Sequence, residues 1–451
     1  MMHLAFLVSI LLGGAHALDN GAITKPFLGW STWNLLGCRV NETVIREMAD
    51  AMVSSGMRDA GYTHVMMDDG WTTCAERDHR YYCLNATGGR GDDGKLVADP
   101  TSFPSGIKAL ADYIHAKGLQ FGIYTSIGAL TCGGYEGSLG HEGVDAQTFA
   151  DWGVDFVKHD YCNCTSPTVL ARTPVMRDAL NATGRVMAYY VDVGGMVPRL
   201  YGGALSPHRG SPREGRTCNR PEHLPWVWGP QTANMWKTWH DIGSATRSPS
   251  GADEGIWPLL CTWDHVMQNV DHNTDHGQIL SSGPGAYNFP DMIMAGLPGC
   301  TPTEQRAQLS LWVVMGVPLV VSNDLRAHDP DTLALLTNPE ALAIVQDPLA
   351  LPGARVAQNG SGVIYAKALS GADPPARFAV VLLNRGQLGS DPISITLGWC
   401  HDFDPFGLCT PPTQRVRVRD VWAGKDLGAF VGGVTLGVAP HDAKLLVITA
   451  E

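Results

Sequence analysis

The sequence predicts an α/β fold, with an N-terminal (β/α)8 barrel of the TIM type followed by a C-terminal antiparallel β-sandwich. Short apolar runs alternate with helical stretches about eight times before residue 345, which is the order expected of a parallel barrel. After Pro352 the runs become short and alternating and are broken by Gly, Pro and Asp, as in a sandwich. We expect the barrel over residues 18–348 and the sandwich over residues 349–451.

The strands are predicted from the apolar runs and the helices from the stretches of helical character between them. Helices are expected over 42–55, 106–117 and 145–151. The barrel strands are expected over 27–33, 64–67, 120–125, 155–157, 186–191, 235–240, 286–290 and 319–323. The sandwich strands are expected over 362–366, 378–383, 393–397, 416–421 and 443–449.

Aspartates recur where the predicted barrel strands end. A single aspartate after a strand is more often a helix cap or a turn residue than a catalyst. Repetition along one chain favours an active site, because the C-terminal ends of barrel strands converge on one pocket. The aspartates concerned are Asp68, Asp69, Asp160, Asp192, Asp241, Asp291 and Asp324.

One of these acids follows a lysine at strand spacing. Lys158 and Asp160 are two residues apart, so on a strand they point to the same face. A lysine ammonium beside a carboxylate favours the charged form of the acid. We therefore expect Lys158 to keep Asp160 ionised and to share the hydroxyls of a ligand with it.

Composition and charge exclude several classes of protein. At 451 residues the chain exceeds what a single core usually holds, which agrees with two domains. A hydrophobic content of 44% and a charged content of 17% describe a globular protein. The formal net charge of −12 argues against nucleic acid as a partner, since phosphate binding needs a basic surface. A neutral sugar makes no such demand.

The first 17 residues have the pattern of a secretory signal peptide, with a short apolar segment and an Ala-x-Ala sequence that ends at Ala17. The segment is too short to span a bilayer, and we expect no membrane span elsewhere. The expected destination is extracellular, lysosomal or vacuolar. There the eleven cysteines indicate disulfides rather than zinc sites, and their odd number leaves one thiol unpaired. Sequons at Asn41, Asn85, Asn163, Asn181 and Asn359 fit the same compartment.

A series of motifs in order along the chain carries a resemblance to a known family. The motifs are Gly29 to Asn34, Asp68 to Trp71, Gly122 to Tyr124, Asp151 to Asp155, Lys158 to Cys162, Gly283 to Gly285, Pro290 to Met292, Trp312 to Arg326 and Gln346 to Leu349. Each tripeptide alone is a weak signal, but their order and spacing are specific. The chain resembles glycoside hydrolase family 27, the α-galactosidase and α-N-acetylgalactosaminidase family. The resemblance runs in register from about Pro26 to Leu349 and more loosely to the C-terminus.

The resemblance implies two catalytic acids. Asp160 matches the nucleophile in the family's Lys-x-Asp-x-Cys motif, and Asp241 matches the acid/base. A retaining glycosidase needs two carboxyl groups about 5–5.5 Å apart, one ionised to attack and one protonated to assist the leaving group. The neighbouring Trp236 and Trp239 are expected to raise the proton affinity of Asp241 by desolvation. A helix cap is the alternative role for Asp241.

The resemblance also implies a sugar pocket that needs no cofactor. Asp68 and Asp69 match the pair that binds the galactose hydroxyls, and Trp33 matches the aromatic platform beneath the sugar. A divalent metal at the paired aspartates is the rival interpretation, but the further oxygen ligands such a metal requires are missing. The other positions that the resemblance places in the pocket are Tyr124, Lys158, Asp192, Lys237, Asp291 and Met292. Cys132 and Cys162 match a disulfide beside the nucleophile.

Three residues depart from the family pattern. Lys237 stands where the family carries arginine, which replaces a bidentate fork with a point charge. Phe289 replaces an acid. Gly70 replaces a cysteine that bridges to the position of Cys38, so Cys74 either takes over that bridge or pairs with Cys83.

These observations predict a retaining exo-glycosidase that removes terminal α-linked galactose. An enzyme of the same mechanism acting on α-linked N-acetylgalactosamine is the first alternative, and a galactose-binding lectin on an inactive barrel is the second. Asp192 favours galactose, because a carboxylate accepts a hydrogen bond from a 2-hydroxyl and crowds an acetamido group. The sandwich is expected to shield one flank of the barrel, and a homodimer is one assembly that the sequence allows.

Overall fold

The structure is a computed structural model that describes residues 18, 20–163, 169–193, 225–246, 256–274, 281–371, 377–398 and 415–451. The expected signal peptide, residues 1–17, lies outside the described residues. In the described part of the chain, no helix has the length and apolar character needed to cross a membrane.

Eight parallel strands form the predicted barrel, and each lies beside the next one along the chain. A parallel bridge between Ile293 and Val321 joins the two ends of the sheet and closes the ring. The barrel interior below the strand ends is filled by an apolar cluster that includes Phe27, Phe156 and Tyr287. The strands are β1 (Leu28–Ser31), β2 (Tyr62–Met66), β5 (Gln120–Ser126), β6 (Phe156–Asp160), β7 (Ala188–Asp192), β8 (Met235–Lys237), β11 (Tyr287–Phe289) and β12 (Leu319–Val321).

Helices cover the outside of the barrel, and their ends follow local sequence signals. Helix α2 (Glu42–Ser54) begins at Asn41, whose side chain accepts a hydrogen bond from the backbone N–H of Val44 at 2.9 Å. Its apolar residues at helical spacing are buried against the barrel. The remaining described helices are α1 (Trp33–Leu36), α3 (Gly106–Ala116), α4 (Glu142–Trp152), α5 (Val169–Ala182), α6 (Pro225–Thr232), α7 (Trp263–Thr274), α8 (Pro302–Met315), α9 (Pro330–Leu336) and α10 (Pro339–Val345).

Antiparallel strands after the barrel form a six-stranded and a two-stranded sheet. An apolar cluster lies between these sheets, while the other face of the larger sheet packs with helix α8 into the main core. Burial on both faces explains why the strands Gly362–Ala368 and Arg377–Asn384 are almost continuously apolar. The strands are β13 (Ala354–Asn359), β14 (Gly362–Ala368), β15 (Arg377–Asn384), β16 (Ile393–Gly398), β17 (Arg415–Asp420), β18 (Lys425–Val431), β19 (Gly433–Val438) and β20 (Ala443–Ala450).

The fold class is confirmed, and the differences lie in short or exposed elements. The expected strand over 235–240 ends at Lys237, so Asp241 lies in the following loop. Strands β13, β18 and β19 were not predicted, because their exposed, polar or Gly-containing sequences hide the apolar alternation. The sequence analysis also did not predict the hairpin of β3 (Glu76–Arg77) and β4 (Cys83–Asn85) or the antiparallel pair of β9 (Ser244–Thr246) and β10 (Ile256–Leu260).

A buried lysine in strand β14 gives a test of how the sandwich packs on the barrel. Lys367 is fully buried, and its ammonium donates to the backbone oxygen of Ile344 in α10 at 2.9 Å. Burial lowers the pKa of Lys367 from 10.5 to about 8, although Asp347 opposes the shift. The unfolded chain therefore binds more protons between about pH 8 and 10.5, and stability rises with pH across that window.

We expect Lys367→Met to raise the free energy of unfolding at pH 7 by about 1–2 kcal/mol. Removing a charge whose burial costs about 3 kcal/mol outweighs the loss of one hydrogen bond worth about 1 kcal/mol. The advantage should shrink as the pH rises from 7 to 9.5. Melting temperatures at both pH values check this, with the exposed Lys425→Met as the control. A variant less stable than the wild type at pH 7 would contradict the expectation.

Candidate active site

The acids expected at the strand ends meet at one end of the barrel, with one exception. Asp160 and Asp192 are the last residues of β6 and β7, and they lie opposite each other in the parallel ladder. Lys237 ends β8, and Asp291 follows β11 by two residues. The exception is Asp324, whose carboxylate caps the 3-10 turn Leu325–Ala327. For Asp324, the helix-cap reading is correct.

Lys158 lies at the centre of one group of carboxylates. Its ammonium is 2.9 Å from Asp68, 3.3 Å from Asp192 and 4.0 Å from Asp160. These contacts join the ends of strands β2, β6 and β7, which places the three acids around one ammonium. Three nearby carboxylates raise the pKa of Lys158, so the side chain is charged at neutral pH.

Asp160 is held in one orientation by its neighbours. The backbone N–H of Tyr161 donates to one carboxylate oxygen at 2.8 Å, and the hydroxyl of Tyr124 donates to the other at 3.2 Å. The expected disulfide between Cys132 and Cys162 is present and ties the loop after β6 to the loop after β5. A carboxylate fixed by two hydrogen bonds and a crosslinked loop is preorganised for reaction.

Lys237 organises the second group of carboxylates. Its buried ammonium forms an ion pair with Asp241 and lies 3.4 Å from Asp291 and 3.8 Å from Asp192. The Asp241 side chain is 66% exposed, whereas Asp68, Asp69, Asp160, Asp192 and Asp291 are buried. Asp192 faces both lysines, so the two groups of carboxylates form one site with Asp241 on its open side.

Asp291 and Met292 fix the segment after β11. Asp291 has a positive φ of 82°, and its carboxylate accepts from the backbone N–H of Ile242 at 2.5 Å. That hydrogen bond links this segment to the residue directly after Asp241. Met292 lies in the barrel interior, and its carbonyl accepts from Gln308 at 3.0 Å. Strain at Asp291 is therefore compensated on both sides by hydrogen bonds.

Asp68 and Asp69 hold different positions although they are adjacent. Asp68 contacts Lys158, while the two oxygens of Asp69 accept from the backbone N–H groups of Gly70 at 2.8 Å and Gly133 at 2.6 Å. Because lysine and backbone donors already occupy these oxygens, the pair does not offer the free ligand set that a divalent cation needs. Trp33 is half-buried at the start of α1 and packs on the barrel interior cluster.

Two of the departures from the family pattern, Phe289 and Gly70, are explained by how the residues pack. Phe289 is buried in the barrel interior, where its ring meets that of Tyr190 edge-on at 5.5 Å. Gly70 has φ of 100°, and a Cβ there would lie 2.5 Å from the backbone oxygen of Cys38. The half-cystine alternatives are resolved, since Cys74 pairs with Cys83 and Cys38 is the free thiol among the described cysteines.

Residues that sequence reasoning missed support the acids from beneath. The hydroxyl of Tyr190 donates to Asp192 at 3.1 Å. The hydroxyl of Thr32 accepts from the backbone N–H of Asp68 at 2.9 Å. Tyr190 precedes Asp192 by two residues, and this strand spacing was the signal that could have found it. Thr32 lies directly before Trp33, but no pattern in the sequence connects it with Asp68.

The charges around Asp160 and Asp241 oppose the two expectations about their protonation. Lys158 does favour ionised Asp160, but burial and the charge of Asp192 outweigh it and raise the pKa of Asp160 well above its ordinary value. The pKa of Asp241 is lowered to about 2 rather than raised, because Lys237 pairs with it. Trp236 is buried in the core and Trp239 stacks on His272, and because the Asp241 side chain is largely exposed, desolvation does not offset the charge of Lys237.

Burial also favours protons on two other acids. It raises the pKa of Asp69 to about 7 and that of Asp291 to about 6. Five aspartates contact the two lysines, and the raised pKa values of Asp160 and Asp291 indicate that these five acids are not all ionised at once near neutral pH. A polyol that donates hydrogen bonds to these oxygens would favour their charged forms.

Comparisons with known proteins agree with this fold and site. Residues 25–199 and 257–347 match the family described as α-galactosidase A, and residues 359–448 match the α-galactosidase C-terminal β-sandwich domain. A probable α-galactosidase of Dictyostelium discoideum is 37% identical over 100% of this chain and 99% of its own length. The human α-galactosidase A is 35% identical over 87% of this chain and 81% of its own length.

Solved structures give the same result. The crystal structure of α-galactosidase I from Mortierella vinacea superposes with a TM-score of 0.76 and 30% identity, covering 95% of this chain and 98% of that one. A barrel with this ring of carboxylates at its strand ends, followed by a sandwich, is the architecture of a glycoside hydrolase. The chain belongs to glycoside hydrolase family 27, the α-galactosidase or melibiase family.

Proposed function

We propose that the protein is an α-galactosidase that removes terminal non-reducing α-D-galactosyl residues by double displacement. The observation that carries the proposal is the pair of groups around Lys158 and Lys237, with buried Asp160 in one and exposed Asp241 in the other. The α-galactosidase names of full-length relatives support the choice of substrate. Galactose is expected to lie between the two groups.

In the first step, the carboxylate of Asp160 attacks the anomeric carbon while the carboxyl group of Asp241 donates its proton to the glycosidic oxygen. The bond to the leaving group breaks, and a galactosyl ester of Asp160 remains. In the second step, Asp241 takes a proton from water, whose oxygen attacks the anomeric carbon and releases Asp160. Both steps invert the anomeric centre, so the product retains its configuration.

This mechanism requires Asp160 ionised and Asp241 protonated, the opposite of what the neighbouring side chains favour. Substrate hydroxyls that donate to the group around Lys158 would stabilise ionised Asp160. A leaving group placed over Asp241 would remove solvent from its carboxylate, and this loss of hydration favours the protonated form. We infer that substrate binding favours a proton on Asp241. The position of Asp241 on the open side of the site agrees with a role as proton donor to the leaving group.

Asp192 is the residue proposed to select a hydroxyl rather than an acetamido group at the 2-position of the sugar. Its carboxylate lies between the two lysines and accepts from Tyr190, so it is fixed where it can accept from a 2-hydroxyl. An acetamido group at that position would meet a charged oxygen and find no space. The runner-up activity, removal of α-linked N-acetylgalactosamine, therefore requires a smaller residue at Asp192.

We expect the wild type to prefer the p-nitrophenyl α-galactoside over the N-acetylgalactosaminide by about 10⁴-fold in kcat/KM. Asp192→Ser should narrow or reverse the preference because it opens space and removes the charge. Asp192→Asn is the matched control, since it removes the charge but keeps the volume and should slow both substrates without reversing the preference. If the wild type cleaves the N-acetylgalactosaminide at least as fast, the runner-up replaces the proposed specificity.

The proposed setting is the secretory pathway, with the barrel (residues 18–348) as the catalytic domain and the sandwich (residues 349–451) as its structural support. Three described disulfides, Cys74–Cys83, Cys132–Cys162 and Cys261–Cys300, fit an oxidising compartment. We propose an extracellular, lysosomal or vacuolar destination.

A further inference from the structure

The hairpin of β3 and β4 is an ordered structure beside the mouth of the barrel. The disulfide Cys74–Cys83 closes its base. The carboxylate of Asp78 accepts from the backbone N–H groups of Arg80 at 2.8 Å and Tyr82 at 2.9 Å, which fixes the turn. Arg77 pairs with Asp99 outside the hairpin. The turn is therefore held in one conformation before any ligand arrives.

This hairpin is connected to the proposed galactose site through two hydrogen bonds in series. The backbone N–H of Cys83 donates to the oxygen of Gly133 at 2.7 Å, and the N–H of Gly133 donates to Asp69 at 2.6 Å. Trp33 packs against the cluster of Cys38, Cys83 and Tyr135 at the foot of the hairpin. One face of this foot therefore adjoins two residues expected to contact galactose.

At the tip of the hairpin, Tyr81 exposes its ring in a conformation that tyrosine rarely adopts. Its φ is 67° and 46% of the residue is exposed, although glycine or asparagine would suit this backbone better. The hydroxyl of Tyr135 donates to its carbonyl at 2.5 Å, and the guanidinium carbon of Arg39 lies 5.7 Å from its ring centroid. The ring is thus held outward beside a cation that can donate hydrogen bonds.

We propose that Tyr81 and Arg39 form a subsite for the sugar attached to the galactose on its leaving-group side. This proposal rests on the proposed function. If the terminal galactose binds in the barrel, the remaining sugars of the oligosaccharide must extend out of the barrel at its mouth. The apolar face of a pyranose packs on an aromatic ring, and guanidinium N–H groups donate to its hydroxyls. The substrates would be galactosyl oligosaccharides.

The test compares two substrates of the same galactosyl group. One is the disaccharide galactosyl-α-1,6-glucose, and the other is α-galactosyl fluoride, whose single leaving atom cannot reach the hairpin. The kcat/KM for the disaccharide divided by that for the fluoride should fall about tenfold in Tyr81→Gly. The fall should come from a higher KM for the disaccharide. Glycine removes the ring but suits a positive φ, so the variant should keep its fold. Tyr81→Phe keeps the ring and should keep the ratio.

Leu84→Ala is the matched control, because Leu84 is 41% exposed on the same hairpin and should leave the ratio unchanged. An unchanged ratio in Tyr81→Gly, or an equal fall in Leu84→Ala, would overturn the subsite. Failure of the wild type to hydrolyse either substrate would instead refute the proposed function. In that case, calorimetry with the disaccharide and with galactose decides the subsite, since Tyr81→Gly must lose the affinity that the second sugar adds.

Discussion

Asp160→Asn is expected to lower kcat by about 10⁴-fold or more while the affinity for galactose stays within a few-fold of the wild type. The amide keeps the shape of the side chain and can still accept the hydrogen bond from the backbone N–H of Tyr161. It cannot form the galactosyl ester, so the first step fails. Turnover of p-nitrophenyl α-galactoside and calorimetric titration with galactose measure the two effects.

Asp324→Asn is the matched control for that experiment. Asp324 also follows a barrel strand, but its carboxylate caps a turn and pairs with Arg326. Asparagine is an equally good cap and an exposed ion pair contributes little, so turnover should persist and the free energy of unfolding should fall by less than about 1 kcal/mol. Near wild-type kcat in Asp160→Asn would refute the nucleophile assignment, and a comparable loss in Asp324→Asn would show that the effect is not specific to the site.

Asp241→Ala should slow the disaccharide by about 10²–10⁴-fold and the activated aryl galactoside far less. Only the poor leaving group needs a proton in the first step. The exposed position of Asp241 and the remaining contacts of Lys237 with Asp192 and Asp291 should allow the variant to fold. Steady-state kinetics on both substrates measure the difference.

Azide provides a second readout for Asp241. It can enter the space that alanine leaves and attack the galactosyl ester without a general base, so it should restore turnover of the aryl substrate. The product would be α-galactosyl azide, because the configuration is again inverted twice. Equal losses on both substrates, together with no rescue by azide, would assign Asp241 a structural role.

The fold was predictable because alternating buried strands and helices leave a strong apolar pattern, and acids at strand ends mark the mouth of a barrel. The identity of each acid was less accessible. Asp160 and Asp324 both follow a predicted strand, and only the lysine two residues before Asp160 separates them locally. The sequence does not show that Asp192 on the next strand faces Asp160, because that contact depends on which strands are neighbours.

Protonation was the least predictable property of the site. Local reasoning paired Asp160 with Lys158 two residues away, but the acid also faces Asp192 across the ladder. The sequence analysis expected nearby tryptophans to set the pKa of Asp241. In the structure, Lys237 at the end of β8 forms an ion pair with Asp241 and sets it instead. A pKa depends on distances between strands, and a single sequence gives only distances along one strand.

The free thiol of Cys38 could exchange with a neighbouring disulfide. Cys38 packs in one cluster with Cys83, so its sulfur lies close to the Cys74–Cys83 disulfide that it could attack. Exchange needs a thiolate, and burial together with Asp69 raises the pKa of Cys38 well above its usual value. In the finished enzyme the reshuffling reaction is therefore suppressed by packing. The burial of Cys38 therefore protects the Cys74–Cys83 pairing from exchange, although the two half-cystines and the thiol lie in one cluster.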